Sequence, residues 1–241
     1  MGLRPSIQIL NRVFDSSNNR LLVGNTESVH RQNPFYANDF FANSNFAPYL
    51  GSAISSGTLG TPAGTAEHPG VIRLQSSATP NSGYTIASHA NSIMIAGDEK
   101  YNAVFSLVTL SGSTYRLGFL DTASSSDATD GVYLEIDSSG VATGKTSTNG
   151  SRTPTDTTAT LSASTWYRLS IELNSSATLA TYTIKTDNGS TVWTNTVSAT
   201  IPTSTGRECG AGVVATNSGS SPTTLIDMDY MSISFSTLSR G

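Results

Sequence analysis

The chain has 241 residues, of which 37% are hydrophobic and only 12% charged, and its net charge is −4. That is enough chain for one large β domain with an appendage, and too acidic a body for a general nucleic-acid binder, which needs cations to replace condensed counterions. The single Cys209 excludes an internal disulfide framework, and no apolar run reaches the ~20 residues that cross a bilayer.

The first 31 residues hold Arg4, Arg12, Arg20 and Arg31 against Asp15 and Glu27, a local charge of +2, so the remainder carries −6. The opening MGLRPSIQILNRVFDSS has no signal-peptide core, and export by the general route is not expected. Residues 1–33 are too few to bury a core of their own. Within them, NRVFDSSNNRLLVGN reads as two short strands about an Asp15–Asn19 turn. An isolated hairpin is marginal in water. This segment is therefore expected to be a docking arm, with Ile7, Ile9, Leu10, Val13, Phe14, Leu21 and Leu22 meeting a partner. Arg4, Arg12 and Arg20 would complement an acidic surface.

Residues 34–241 are expected to form the main domain. Its first part, 34–70, contains the aromatics Tyr36, Phe40, Phe41, Phe46 and Tyr49 and reads as one strand followed by a long surface loop ending in TAEHPG. So many aromatics suit a core or a subunit contact. From Val71 the pattern is β: VIRLQ, SIMIAG, YNAVFSLVTL, TYRLGFLD and GVYLEID are short apolar runs between turn residues. In TWYRLSIEL, Tyr167, Leu169, Ile171 and Leu173 share one face while Trp166, Arg168, Ser170 and Glu172 share the other. The Asn188-Gly189 pair predicts a tight hairpin turn. The run TLIDMDYMSISF changes face midway, which predicts a bulge near Tyr230. With no helical periodicity over three turns, the chain reads as an all-β antiparallel sandwich of jelly-roll type.

Several stretches in order (HPGVIRLQSS, YRLGFLD with DGVYLEID, TWYRLSIELNSSATLATYTI, IPT at 201–203 and IDMDYMSISF) resemble concanavalin A-like lectin domains of bacteriophage structural proteins. LNRVFDSSNNRLLV is similar to the leaders that such proteins carry. The resemblance covers roughly residues 10–235 and implies a non-enzymatic virion component. The leading expectation is a capsid decoration or cement protein. Its arm would bind the major capsid protein or other virion proteins, and trimeric assembly is expected. A tail fibre or receptor-binding module that recognises a host surface glycan is the alternative, and a polysaccharide hydrolase the third reading. Neither nucleic acid nor membrane is an expected partner.

The residues with chemical potential divide as follows. Laminarinase-type hydrolases of this fold use Glu-x-Asp-x-x-Glu; Glu135 and Asp137 match, but Gly140 replaces the acid/base, so the pair is expected on the wet face of a sheet. Asp227 and Asp229 repeat the spacing and are read as solvent-face acids. Cys209, in the apolar RECGAGVVA, is expected to pack as a small hydrophobe. His30, His68 and His89 sit in loop contexts without a nucleophile motif or zinc spacing. Asp121, Asp127 and Asp130 share a loop that suits calcium as well as a polar turn. Trp166 and Trp193 are expected to be packing residues.

Overall fold

The structure is a computed structural model that describes residues 51–204, 207–218 and 224–235 in full, and the strand backbone at 13–15, 20–22, 35–38 and 50. In chain order its strands are β1 (Val13–Asp15), β2 (Arg20–Leu22), β3 (Phe35–Asn38), β4 (Leu50–Ile54), β5 (Thr58–Gly60), β6 (Ile72–Gln75), β7 (Gly83–Ala87), β8 (Lys100–Leu107) and β9 (Ser113–Leu120). The second half contributes β10 (Gly131–Ile136), β11 (Val141–Thr148), β12 (Ser151–Pro154), β13 (Ala159–Thr160), β14 (Trp166–Leu173), β15 (Ala180–Thr186), β16 (Thr191–Val197), β17 (Gly210–Asn217) and β18 (Leu225–Ser234). Among the described residues there is no helix. The all-β expectation is met.

Two antiparallel sheets face each other. Sheet I runs β12-β11-β10-β9-β17-β7-β4, with β13 also on β11; sheet II runs β16-β15-β14-β8-β18-β6-β5, with β3 also on β18. Alternation places Leu117, Phe119, Leu134 and Val213 of sheet I against Tyr101, Phe105, Leu169 and Met228 of sheet II in one buried cluster. Tyr182 spans the layers, its ring buried in that cluster and its hydroxyl donating to the Lys145 carbonyl at 2.7 Å. Strand β14 follows the predicted faces, with Tyr167, Leu169, Ile171 and Leu173 buried.

Strand β18 contains the predicted bulge. Met228 pairs with Phe105 and Tyr230 with Val104, which leaves Asp229 as the extra residue. The bulge keeps Ile226, Met228, Met231 and Ile233 all in the core, although the simple period of two breaks between them. It also marks a change of neighbour: β18 pairs with β6 from Leu225 to Met228 and with β3 from Met231 to Ser234.

Three expectations change in detail. Segment 34–70 supplies three strands, β3, β4 and β5, rather than one. The Asn188-Gly189 turn is a three-residue loop closed by Gly189 N–H to Thr186 O and Thr186 N–H to Ser190 O, with positive φ at Gly189 alone. Asn188 instead caps the loop, its Oδ1 accepting from the Thr186 hydroxyl and the Ser190 N–H. Finally, Asp227 and Asp229 do not guard a sheet edge, because β18 lies inside sheet II.

Candidate functional site

The outer face of sheet II is polar by construction, because its strands alternate with the core. One register row crosses five strands: Ser232, Asn102, Ser170, Thr183 and Thr194 on β18, β8, β14, β15 and β16. Every member is a short hydroxyl or amide. Neighbouring strands lie ~4.8 Å apart, so the row spans about 19 Å. It runs from buried Ser232 to exposed Thr194, with Asn102 Nδ2 donating to Ser232 Oγ and the Thr194 hydroxyl to Thr183. The flanking rows are Tyr230, Val104, Arg168 and Lys185 on one side and Ser234, Lys100, Glu172, Thr181 and Thr196 on the other. Lys100 and Glu172 pair at 2.6 Å; the Lys100 hydrogen bond, against partial desolvation, holds the Glu172 carboxyl below its usual range.

At one corner of this face the loop before β6 lays His68 flat on Trp166, with ring centroids 3.9 Å apart and planes 17° from parallel. His68 is 4% exposed. Its Nδ1 lies 2.9 Å from Asp229 Oδ2, and its Nε2 lies 3.4 Å from Asp187 Oδ2. The bulge presents Asp229 and the three-residue turn presents Asp187, so two local irregularities of the sheet converge on one imidazole. Arg168 donates to the other oxygen of Asp187 from Nε at 3.1 Å and from Nη2 at 2.9 Å. Next to this corner, Arg73 clasps Asp227 through two bonds of 2.6 and 2.7 Å.

The outer face of sheet I is organised differently. Loop 121–130 folds over it, burying Ala128 against Leu120, Tyr133 and Val214. Glu135 lies between Arg116 at 2.8 Å and Lys145 at 2.7 Å, so both carboxylate oxygens are engaged. Asp137 follows the end of β10 and caps the β10–β11 turn, accepting from the N–H groups of Ser139 and Val141. The two carboxylates therefore do not sit side by side, and Glu135 forms an ion-paired floor beneath a loop rather than a wet face. Asp127 accepts from the Tyr133 hydroxyl at 2.6 Å and contacts Arg116, Lys145 and Arg152. Burial alone would raise its carboxyl, but the Tyr133 bond and the three cations overcome this and hold it below the usual range. Asp121 goes the other way, raised chiefly by burial and further by Asp130.

The three aspartates of the candidate calcium loop have separate partners. Asp121 accepts from Thr129 N–H, Asp127 joins the cation network, and Asp130 holds Asn149 N–H and Arg207. Among the described residues, the group whose ligand atoms lie within 4.8 Å of one another is Glu67, His68 and Asp187. Cys209 is buried, and burial first, then nearby acids, pushes its thiol up. Trp193 packs inward as expected, donating to Thr157 at 3.1 Å. Trp166 also packs, but on the outer face, beneath His68 rather than in the core. His68 itself was legible only as a loop histidine. Its partner Asp229 lies 161 residues away in sequence, and no local motif joins them.

Of the expected arm contacts, Arg4, Ile7, Ile9, Leu10 and Arg12 lie outside the described residues. Val13 and Phe14 fall on β1, and Arg20, Leu21 and Leu22 on β2; the strands pair Val13 with Leu22 and Asp15 with Arg20, as the turn predicted. Tyr36 lies on β3, while His30, Phe40, Phe41, Phe46 and Tyr49 lie outside the described residues.

Comparison with known proteins gives the same architecture. The profile of the family described as SO2946-like, C-terminal domain, matches residues 67–229. A crystal structure of a protein of unknown function, SO2946 from Shewanella oneidensis MR-1, aligns at a TM-score of 0.75 and 16% identity, covering 90% of this chain and 92% of that one. The CBM2 module of the evolved Dit of Lactobacillus casei BL23 phage J-1 aligns at 0.55 and 12%, covering 88% and 99%. Arcelin-5, a lectin-like defence protein from Phaseolus vulgaris, aligns at 0.56 and 9%, covering 84% and 98%. No curated protein matches the chain in sequence. At these identities the likeness is one of fold: a lectin-like jelly-roll sandwich.

Proposed function

The chain belongs to the SO2946-like, C-terminal domain family, and from that premise we propose that it is a non-enzymatic carbohydrate-binding module of a bacteriophage particle, contacting glycan through the outer face of sheet II. The observation that carries the reading is the five-strand row from Ser232 to Thr194. Sugar hydroxyls donate and accept at once, and hydroxyl and amide side chains answer in kind. Tyr230 in the adjoining row offers apolar ring surface to sugar faces. The lectin-like fold and its likeness to a phage CBM2 module support the same reading.

The test is a binding screen of the untagged chain against polysaccharides from bacterial envelopes, followed by titration calorimetry on any hit. Ser170→Arg and Thr183→Arg place long cations mid-row without touching the core, so each should weaken binding at least tenfold with little change in Tm. Binding that survives both substitutions would move the contact elsewhere, and a screen without any hit would sink the reading.

A second reading keeps the same module on the phage head as a decoration protein. Its support is the β1–β2 ribbon, which among the described strands pairs only with itself and so suits an arm that docks on another protein. Copy number per purified particle separates the two. Hundreds of copies in fixed ratio to the shell protein mean decoration, whereas a handful mean the tail.

A further inference from the structure

We propose that Glu67, His68 and Asp187 form a divalent metal site on the outer face of sheet II, with zinc as the ion that the geometry favours. This goes beyond the glycan reading and stands independently of it.

His68 has no freedom to turn. It is 4% exposed, stacked on Trp166, and its Nδ1 lies 2.9 Å from Asp229. A carboxylate can only accept, so Nδ1 carries its proton toward Asp229, and at Nε2, which faces Asp187 Oδ2, a metal cation can take the place of the second proton. That gap is 3.4 Å. A charge-assisted N–H···O bond closes to ~2.7–2.9 Å, so the distance does not suit one. It does suit two ligands of a shared ion, because a nitrogen and an oxygen each ~2.1 Å from a tetrahedral centre lie about 3.4 Å apart.

The surroundings fit the same assignment. Arg168 occupies Asp187 Oδ1 and leaves Oδ2 turned toward the imidazole. Glu67 brings a third ligand atom within 4.8 Å of the other two, and its exposed side chain is free to close that distance. Asp229 behind Nδ1 completes the carboxylate–histidine–metal arrangement that fixes a ligating imidazole. Glu67, Asp187 and Asp229 against Arg168 leave two net negative charges, the complement of a dication, while Arg73 is taken up by Asp227. Imidazole with carboxylates selects transition ions over calcium and magnesium, which prefer all-oxygen shells. Three protein ligands leave a fourth position open to water or to a bound hydroxyl.

The experiment is calorimetric titration of zinc chloride into the untagged full chain after chelator treatment, with calcium chloride in parallel. The expected result is one equivalent of zinc bound with a Kd below ~10 μM, a raised Tm, and no comparable calcium binding. Asp187→Asn and the exposed Glu67→Gln should each weaken zinc at least tenfold without lowering the metal-free Tm. Asp229→Asn should weaken it ~10- to 100-fold through the imidazole it orients. If zinc fails to saturate, binds equally to Asp187→Asn and Glu67→Gln, or yields to calcium, the proposal is overturned and His68 is a structural ion pair between two carboxylates.

Discussion

Asp127 and Asp121 stand six residues apart in one loop, yet their carboxyls are displaced in opposite directions. The Asp127 carboxyl is depressed in the folded protein, so its stabilisation is present in full above the unfolded value of ~3.9 and is lost as pH falls through the native value. Asp127→Asn should therefore lower stability near pH 7 by about 1 kcal/mol, after discounting for partial exposure. The gap to the parent chain should close at the acid end. Asp121 is raised chiefly by burial, so its surroundings disfavour the charged form. An amide at 121 retains an oxygen for Thr129 N–H, so Asp121→Asn should be neutral or stabilising at pH 7. Urea unfolding of both variants between pH 3 and pH 7 checks the pair, and the same sign for both would contradict this account of the loop.

At the scale of single elements, the bulge in β18 decides both packing and site. Inserting one residue after Tyr230 shifts the face of everything that follows and turns Met231 and Ile233 outward, so that chain should fail to give a soluble, folded protein. Deleting Asp229 instead leaves Met228, Tyr230 and Met231 in plain alternation with the same core face. Asp229→Ala keeps the count and should fold. Circular dichroism and gel filtration distinguish them, and a well-folded insertion would mean that the register is not pinned here. Sequence alone revealed this bulge, because Ile226, Met228, Met231 and Ile233 cannot share a face without an extra residue between them. The alternation of β14 was legible for the same reason: burial imposes a period that composition reports. The His68 corner was not. It is assembled from a loop, a bulge and a turn that sequence separates widely, and each contributes one side chain whose direction depends on the closed sheet. The Asn188-Gly189 pair signalled a turn but left its length open, and that length is what points Asp187 at the imidazole. Glu135 showed the converse failure. Its spacing to Asp137 was plain, but the cations that claim it come from β9 and β11.

Across the whole molecule, the two strands made last are interior in both sheets: β17 lies between β9 and β7, and β18 between β8 and β6. Neither sheet can close from its N-terminal members alone. A chain ending at residue 208 should therefore lack cooperative unfolding by calorimetry, whereas a stable fragment would show that β7 and β9 find another partner. Removal of residues 1–33 is a different case. That segment contributes the separate β1–β2 ribbon, so the shortened chain should keep the parent Tm, and on the proposed decoration reading it should lose association with particles; unchanged association would exclude the arm as the tether.

The placement of β3 bears on how such a tether would transmit force. Phe35 pairs with Ser234 and Asn38 with Met231, so the chain enters sheet II alongside the end of its longest strand. Tension drawn from residue 35 by an anchored arm, against a load held at the Asp187 corner, runs along the strand axis. The β3–β18 bonds then stretch together in shear instead of peeling one at a time. A module fixed at that end can take a pull on its bound ligand without unzipping from the strand that anchors it.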